Sequence, residues 1–91
     1  MTNVISKDSQ NLTTDFLIYS ADHCPYCVAA ERYLQGSGFS FTIIDLSLNH
    51  EKRMEIIKQT NHRTVPVIFD LRNNKIKFIG GFDDLQASKL I

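Results

Sequence analysis

The chain has 91 residues, which is the size of one domain, since single domains run from about 50 to 250 residues. It is 43% hydrophobic and 22% charged, a composition that excludes an intrinsically disordered chain. Ten basic residues balance ten acidic residues, so the basic excess of a nucleic-acid-binding protein is missing. No apolar run approaches the roughly 18 residues of a membrane span, so we expect no membrane partner either.

The first fourteen residues are mostly polar and hold no apolar run of the kind that a signal peptide needs. We predict that residues 1–14 are a mobile polar leader outside the fold and that residues 15–91 form the domain. Without an export signal, the two cysteines are expected in the reducing cytoplasm. In that compartment a close cysteine pair is more often catalytic or metal-binding than structural.

Hydrophobic patterns and end signals predict seven elements in the order β-α-β-α-β-β-α. In chain order they are a strand at 15–20, a helix at 25–36, a strand at 39–46, a helix at 50–60, strands at 65–70 and 75–80 joined by a turn at 72–75, and a closing helix after Gly81. The first strand–helix–strand unit should be parallel, and the last two strands should form an antiparallel hairpin. The expected fold class is α/β, with a four-stranded mixed sheet and helices on both faces.

Cys24 and Cys27 fall at the start of the first predicted helix, directly after a strand. Free backbone N–H groups and the positive end of the helix dipole stabilise a thiolate at Cys24. Cys27 lies in the first turn, so the two sulfurs are close enough to bond. We expect Cys24 to be exposed and ionised and Cys27 to be more buried and protonated. That asymmetry suits attack by one sulfur and resolution of the mixed disulfide by the other.

The cysteine pair has two other interpretations, a zinc site and a pair of buried cysteines without chemistry. A CxxC motif is half of a zinc site, but zinc takes four ligands and the chain has no second cysteine pair. His23 adjoins Cys24 in sequence and cannot easily join a tetrahedron with both sulfurs. The second alternative is a pair of buried cysteines without chemistry. A strand–CxxC–helix arrangement favours a catalytic redox dithiol, with no metal expected.

Three motifs follow one another along the chain: HCPYC at 23–27, TVP at 64–66 and GGFDDL at 80–85. Together they resemble the dithiol glutaredoxins of the thioredoxin-like superfamily, over a stretch from about residue 16 to the C-terminus. CxxC alone is moderate evidence, whereas the three motifs in register are highly specific. The resemblance implies a thioredoxin-like fold, a monomer, and glutathione as the reducing cosubstrate.

The resemblance also implies a glutathione-binding site beside the cysteines. The peptide bond before Pro66 is expected to be cis. Val65, with Thr64 beside it, is expected to pair through its backbone with the cysteinyl part of glutathione, as an added strand would. Tyr26 is expected to contact the bound tripeptide. The structural alternatives are a trans proline at the start of a strand and a partly exposed aromatic ring at the start of a helix.

The GGFDDL motif is expected to hold the γ-glutamyl end of glutathione. By resemblance, Asp83 acts through its backbone N–H and Asp84 through its carboxylate. Gly81 lets the backbone approach the ligand, because no Cβ intervenes. The structural alternative is a simple turn, with the two acids complementing the dipole of the closing helix.

Two positions depart from the family pattern. The family usually has a lysine three residues before the nucleophilic cysteine, where this chain has Ala21, and His23 stands where a small or hydroxylated residue is common. Family members carry a glutamine or arginine at the position of Arg53 in the second helix, so by resemblance Arg53 is our candidate for binding the glycine carboxylate of glutathione. Arg63 is nearer in sequence to the TVP segment, and the alternative for Arg53 is a solvated helix residue.

The leading interpretation is a glutathione-dependent thiol–disulfide oxidoreductase that reduces protein–glutathione mixed disulfides and protein disulfides. One alternative is a redoxin reduced by thioredoxin reductase, against which the GGFDDL segment argues. The other is a glutathione-ligated iron–sulfur carrier dimer that uses Cys24 alone. Pro25 disfavours that dimer, because it stiffens the cysteine loop.

Overall fold

The computed structural model describes residues 4–88, which form four helices and four strands. In chain order they are α1 (Val4–Ser9), β1 (Phe16–Ser20), α2 (Pro25–Gly36), β2 (Phe41–Asp45), α3 (His50–Thr60), β3 (Val67–Asp70), β4 (Lys77–Gly80) and α4 (Phe82–Ala87), with a 3₁₀ turn at Arg72–Asn74. The strands form one sheet in the order β2-β1-β3-β4. β1 is parallel to β2 and antiparallel to β3, and β3 is antiparallel to β4. The predicted α/β domain with a four-stranded mixed sheet is confirmed.

The element boundaries differ from the prediction mainly at the strands. α2 and α3 begin and end where predicted, and Asn49 caps α3 by accepting a hydrogen bond from the Lys52 N–H at 3.1 Å. β3 begins after Pro66, which has no N–H to give to a ladder. β4 begins at Lys77, because the left-handed residues Asn73 and Asn74 extend the turn before it. The end of the closing helix, beyond residue 88, lies outside the described residues.

Two hydrophobic clusters cover the two faces of the sheet, since side chains alternate along each strand. The α1/α3 face holds the buried residues Ile5, Leu17, Tyr19, Leu46, Ile56, Val67 and Phe69. The α2/α4 face holds the buried residues Phe16, Ile18, Ala30, Leu34, Ile68 and Leu85. β1 contributes alternate residues to both clusters and is buried along its whole length. No helix within residues 4–88 has the length and apolar character needed to cross a membrane.

The structure corrects the prediction for the first fourteen residues. Within that segment α1 packs on the fold, and its Ile5 side chain is only 6% exposed. Asp8 of α1 accepts a hydrogen bond from the Tyr19 hydroxyl at 2.7 Å and forms an ion pair with Lys52 of α3 at 3.1 Å. The prediction of a mobile leader outside the fold is therefore wrong for this helix. The segment is mostly polar, and its few apolar residues did not indicate a packed helix.

Candidate active site

Cys24 and Cys27 are joined as a disulfide at the start of α2, with their Cα atoms 5.2 Å apart. Cys24 is the N-cap residue, in extended conformation, and its sulfur accepts a hydrogen bond from the Cys27 N–H at 3.1 Å. Pro25 takes the first helical position, where a missing N–H costs nothing. Cys24 is half-buried, whereas Cys27 is 2% exposed. The predicted order of accessibility, with Cys24 the more open of the two, is confirmed.

A groove of about 280 Å³ lies beside this disulfide. The Val65 carbonyl oxygen, at its edge, is 3.6 Å from the Cys24 sulfur. The bond between Val65 and Pro66 is cis, as predicted. The groove is lined by predicted site residues from three parts of the fold, which are Tyr26, Thr64, Val65, Pro66, Gly81, Asp83 and Asp84. The segments that the sequence motifs singled out therefore meet at one place.

Asp84 has a structural role in the groove as well as a position on its wall. Its Oδ2 accepts a hydrogen bond from the Gly81 N–H at 2.9 Å, which caps the start of α4. Gly80 has a φ of +119°, and a Cβ at this position would overlap the Asp84 carboxylate. Glycine is required there for both reasons. The capping role that the sequence offered as an alternative is thus real, and it fixes the carboxylate beside the groove.

The two candidate arginines are placed differently from the rest of the predicted site. Neither Arg53 nor Arg63 is among the residues that line the groove. Arg63 lines a separate, larger depression of about 800 Å³ along α3, to which neither cysteine contributes. Arg53 lies on α3 and is half-buried. Its role toward glutathione stays a prediction.

Sequence reasoning missed two residues that line the groove, His62 and Phe82. The His62 Nε2 atom lies 3.3 Å from the Thr64 hydroxyl oxygen, and its ring meets Phe78 edge-on, with centroids 5.9 Å apart. The Phe82 ring lies 6.4 Å from that of Tyr26, centroid to centroid. Both adjoin motifs that had been identified, so the available signal was sequence proximity to TVP and GGFDDL.

Residues 4–88 contain no group of three or more histidine, cysteine or acidic side chains arranged to hold a metal ion. The titratable side chains that line the groove are His62, Tyr26 and the two acids of α4, and the disulfide lies next to it, with the Cys24 sulfur 3.6 Å from the Val65 carbonyl oxygen. Of these groups, only the sulfurs can exchange electrons with a disulfide.

Comparison with known proteins identifies the family. The glutaredoxin family model matches residues 16–76. The chain belongs to the glutaredoxin family. It is 41% identical over 70 residues to glutaredoxin 3 of Escherichia coli (strain K12), an alignment that covers 77% of this chain and 80% of that relative. Among solved structures, wheat glutaredoxin is 30% identical with a TM-score of 0.75, covering 91% of this chain and 80% of the wheat chain.

A second solved structure, a buckwheat glutaredoxin–glutathione complex, has the same TM-score of 0.75 at 23% identity. The match covers 92% of this chain and 76% of the buckwheat chain, and it shows the shared fold. Together with the wheat structure, it shows that the fold of this glutaredoxin is thioredoxin-like, as expected. Family membership and the Cys24–Cys27 pair make it a thiol–disulfide oxidoreductase.

Proposed function

We propose that this glutaredoxin is glutathione-dependent and reduces both protein–glutathione mixed disulfides and protein disulfides. The observation that carries the proposal is the groove beside Cys24. It offers the Val65 backbone next to the sulfur and the Asp83 and Asp84 carboxylates farther along. A peptide with a cysteine in the middle and an ammonium at one end matches that order of groups. The buckwheat protein of the same fold, solved as a glutathione complex, supports this choice of ligand.

Each part of the tripeptide is assigned to a different group of the groove. The Val65 backbone pairs with the cysteinyl unit in the manner of an added strand, which places the ligand sulfur near Cys24. Asp84 engages the Gly81 N–H through Oδ2, so its Oδ1 is assigned to the γ-glutamyl ammonium. The Asp83 N–H is assigned to the γ-glutamyl carboxylate. Tyr26 is 63% exposed at the mouth of the groove, where its ring covers the bound peptide.

Deglutathionylation needs only Cys24. The Cys24 thiolate attacks the glutathione sulfur of a protein–glutathione disulfide, forming a Cys24–glutathione disulfide and releasing the protein thiolate. A second glutathione thiolate then attacks the bound glutathione sulfur. This step yields oxidised glutathione and restores the Cys24 thiolate.

Reduction of a protein disulfide needs both cysteines. Cys24 attacks one sulfur of the substrate, and the resulting mixed disulfide is broken when Cys27 attacks the Cys24 sulfur. The substrate leaves as a dithiol and the enzyme is left with the Cys24–Cys27 disulfide, which is the state of the present structure. Two glutathione molecules then reduce that disulfide and leave as oxidised glutathione. This chemistry needs a reducing glutathione pool, and a cytoplasmic location stays a prediction.

The test is turnover of a small mixed disulfide of glutathione under two reducing systems. With glutathione and glutathione reductase, we expect steady turnover. With thioredoxin and thioredoxin reductase in place of glutathione, we expect little. Faster turnover by thioredoxin reductase would reverse the assignment. A brown dimer after anaerobic purification, without turnover in either system, would favour the iron–sulfur carrier instead.

A further inference from the structure

We propose that His62 determines the specificity of the groove, because its protonated imidazole binds the γ-glutamyl carboxylate of glutathione. The inference rests on the proposed function, since it names a further contact to the same ligand. Of the residues that line the groove within the described chain, His62 is the one whose side chain can carry a positive charge. The remaining lining residues are neutral, apart from the two acids of α4.

The charge of the ligand requires such a group. Glutathione carries two carboxylates and one ammonium near neutral pH, and the groove already presents the Asp83 and Asp84 carboxylates. Those two acids suit the ammonium but repel the carboxylate bonded to the same carbon. Neither Arg53 nor Arg63 lines the groove to offset that repulsion. A cationic His62 would supply the missing charge.

The position of the ring favours the γ-glutamyl carboxylate over the glycine carboxylate. A Cβ built on Gly81 would lie 3.5 Å from His62 Nε2, so the ring nitrogen adjoins the backbone that leads into Asp83 and Asp84. This is the end of the groove to which the γ-glutamyl group is assigned. The Thr64 hydroxyl, 3.3 Å from Nε2, and the edge-on contact with Phe78 hold the half-buried ring in place.

The surroundings leave the imidazole charge available to a ligand. Asp83 and Asp84 of α4 line the same groove as the ring without an ion pair to it, and from α2 the Tyr26 hydroxyl is the titratable group on the groove. β4 meets the ring through uncharged Phe78, whose chain neighbour is Lys77, and Arg63 follows His62 in sequence. Within residues 4–88, His62 takes part in no ion pair. The proposed contact needs the protonated imidazole, so ligand affinity should be higher at a pH where histidine side chains are charged than at one where they are neutral.

The experiment measures the Kd of reduced glutathione for a protein in which Cys24→Ser and Cys27→Ser remove thiol exchange. We expect binding to be about five-fold tighter near pH 5.5 than near pH 8, the size of one partly exposed charge-assisted contact. Adding His62→Gln should abolish this pH dependence. Adding His62→Arg should give tight binding at both pH values. The matched control is His50→Ala, since His50 lies on α3 outside the groove and its loss should leave the pH dependence intact.

Two glutathione analogues identify the carboxylate. γ-Aminobutyryl-cysteinyl-glycine lacks the γ-glutamyl carboxylate, so its binding should not depend on His62. Glutathione esterified at glycine keeps that carboxylate and should behave like glutathione. The opposite pattern, with the ester losing the His62 effect, would overturn the assignment to the γ-glutamyl end.

The remaining outcomes separate the two proposals. If His62→Gln keeps the affinity and pH dependence of its parent, while the native enzyme turns over glutathione mixed disulfides, the His62 inference is wrong and the proposed function stands. If His62→Gln and His62→Arg weaken binding equally at both pH values, the ring has only a structural role and the inference is again wrong. If the native enzyme neither binds glutathione nor turns over its mixed disulfides, the proposed function itself fails.

Discussion

The two faces of the sheet differ in the role of their polar groups. On the α2/α4 face, both helices begin at the groove, α2 with the cysteine pair and α4 with Asp83 and Asp84. On the α1/α3 face, a partly buried polar contact joins three elements: the Tyr19 hydroxyl donates to Asp8, which also pairs with Lys52. The first face positions reactive groups, whereas the second ties α1 and α3 to the sheet. Chemistry and stability should therefore respond to different substitutions.

The largest expected effect is loss of enzyme activity when the cysteines on the α2/α4 face are substituted. Cys24→Ser should abolish all activity, because no nucleophile remains. Cys27→Ser should keep reduction of glutathione mixed disulfides, which needs one thiolate, while losing most reduction of protein disulfides. Turnover of a small glutathione mixed disulfide and of a protein disulfide measures the two activities separately. A Cys27→Ser protein inactive toward the glutathione mixed disulfide would show that the roles of the two sulfurs are wrongly assigned.

The second prediction concerns the polar contact on the α1/α3 face. Burial, together with the hydrogen bond and negative charge of Asp8, raises the pKa of Tyr19, so its hydroxyl stays a donor at ordinary pH. Asp8→Ala leaves that hydroxyl without its acceptor and Lys52 without its carboxylate. We expect a loss of about 1–3 kcal/mol in the free energy of unfolding.

Urea denaturation measures that loss, and Lys7→Ala is the matched control because Lys7 is an exposed residue of the same helix. In Asp8→Ala, kcat and KM for a glutathione mixed disulfide should stay near those of the native enzyme. A drop in kcat comparable to that of a cysteine variant would mean that the two faces are not separable.

The comparison of the two faces also shows where sequence patterns succeed. α2 and α3 were predicted to the residue, because their end signals are local: Pro25 and Gly36 bound one helix and Asn49 starts the other. α1 was missed because a six-residue helix is marginal alone and depends on tertiary contacts. Those contacts come from Tyr19 and Lys52, which are far from it in sequence.

The residues of the groove were likewise predictable from the sequence only in part. Its motif residues were predicted because each stands next to a recognisable element end, such as Pro66 before β3 or Gly81 before α4. His62 was not predicted, because its position on the groove comes from the packing of the loop after α3 against β4 and the start of α4. Proximity to the TVP motif was the available sequence signal, but it does not show that the ring packs against β4 and the start of α4. Conversely, the resemblance to the glutaredoxin family suggested Arg53, although the groove lining does not include it.

The α2/α4 face also has a polar contact that stabilises the fold, formed by Asp70 and Arg72 at the end of β3 away from Pro66. Arg72 forms hydrogen bonds to Asp70 at 3.0 and 2.8 Å, and its guanidinium lies 5.3 Å from the Phe16 ring centroid. Burial opposes ionisation of Asp70, but the hydrogen bonds and charge of Arg72 outweigh it and lower the pKa of Asp70.

A carboxyl group whose pKa is lowered by folding stabilises the protein above its unfolded pKa of about 3.9, and that stability is lost as pH falls through the lower folded value. Asp70→Asn should therefore cost about 1 kcal/mol near neutral pH and progressively less below about pH 4. Urea midpoints across this range measure the difference. Asp22→Asn is the exposed control. If the loss of free energy of unfolding does not change with pH, Asp70 stabilises the fold through its packing and not through its charge.

The smallest expected effect is that of Arg53, which tests whether a residue of the α1/α3 face contributes to glutathione binding. Arg53 is the one predicted site residue carried by a helix of the α1/α3 face. Since Arg53 does not line the groove, we expect it to act on the glycine carboxylate through a partly screened charge, worth about 1 kcal/mol or less. Arg53→Ala should raise the KM for a glutathione mixed disulfide by at most several-fold, with kcat changed less. Ala21→Lys, placed beside the cysteine loop, should lower that KM, and both effects should shrink at high salt. An unchanged KM for Arg53→Ala at low ionic strength would remove Arg53 from the site and confine glutathione recognition to the α2/α4 face and the loop before β3. In that case a rise in KM for Arg63→Ala would place the glycine carboxylate at that loop.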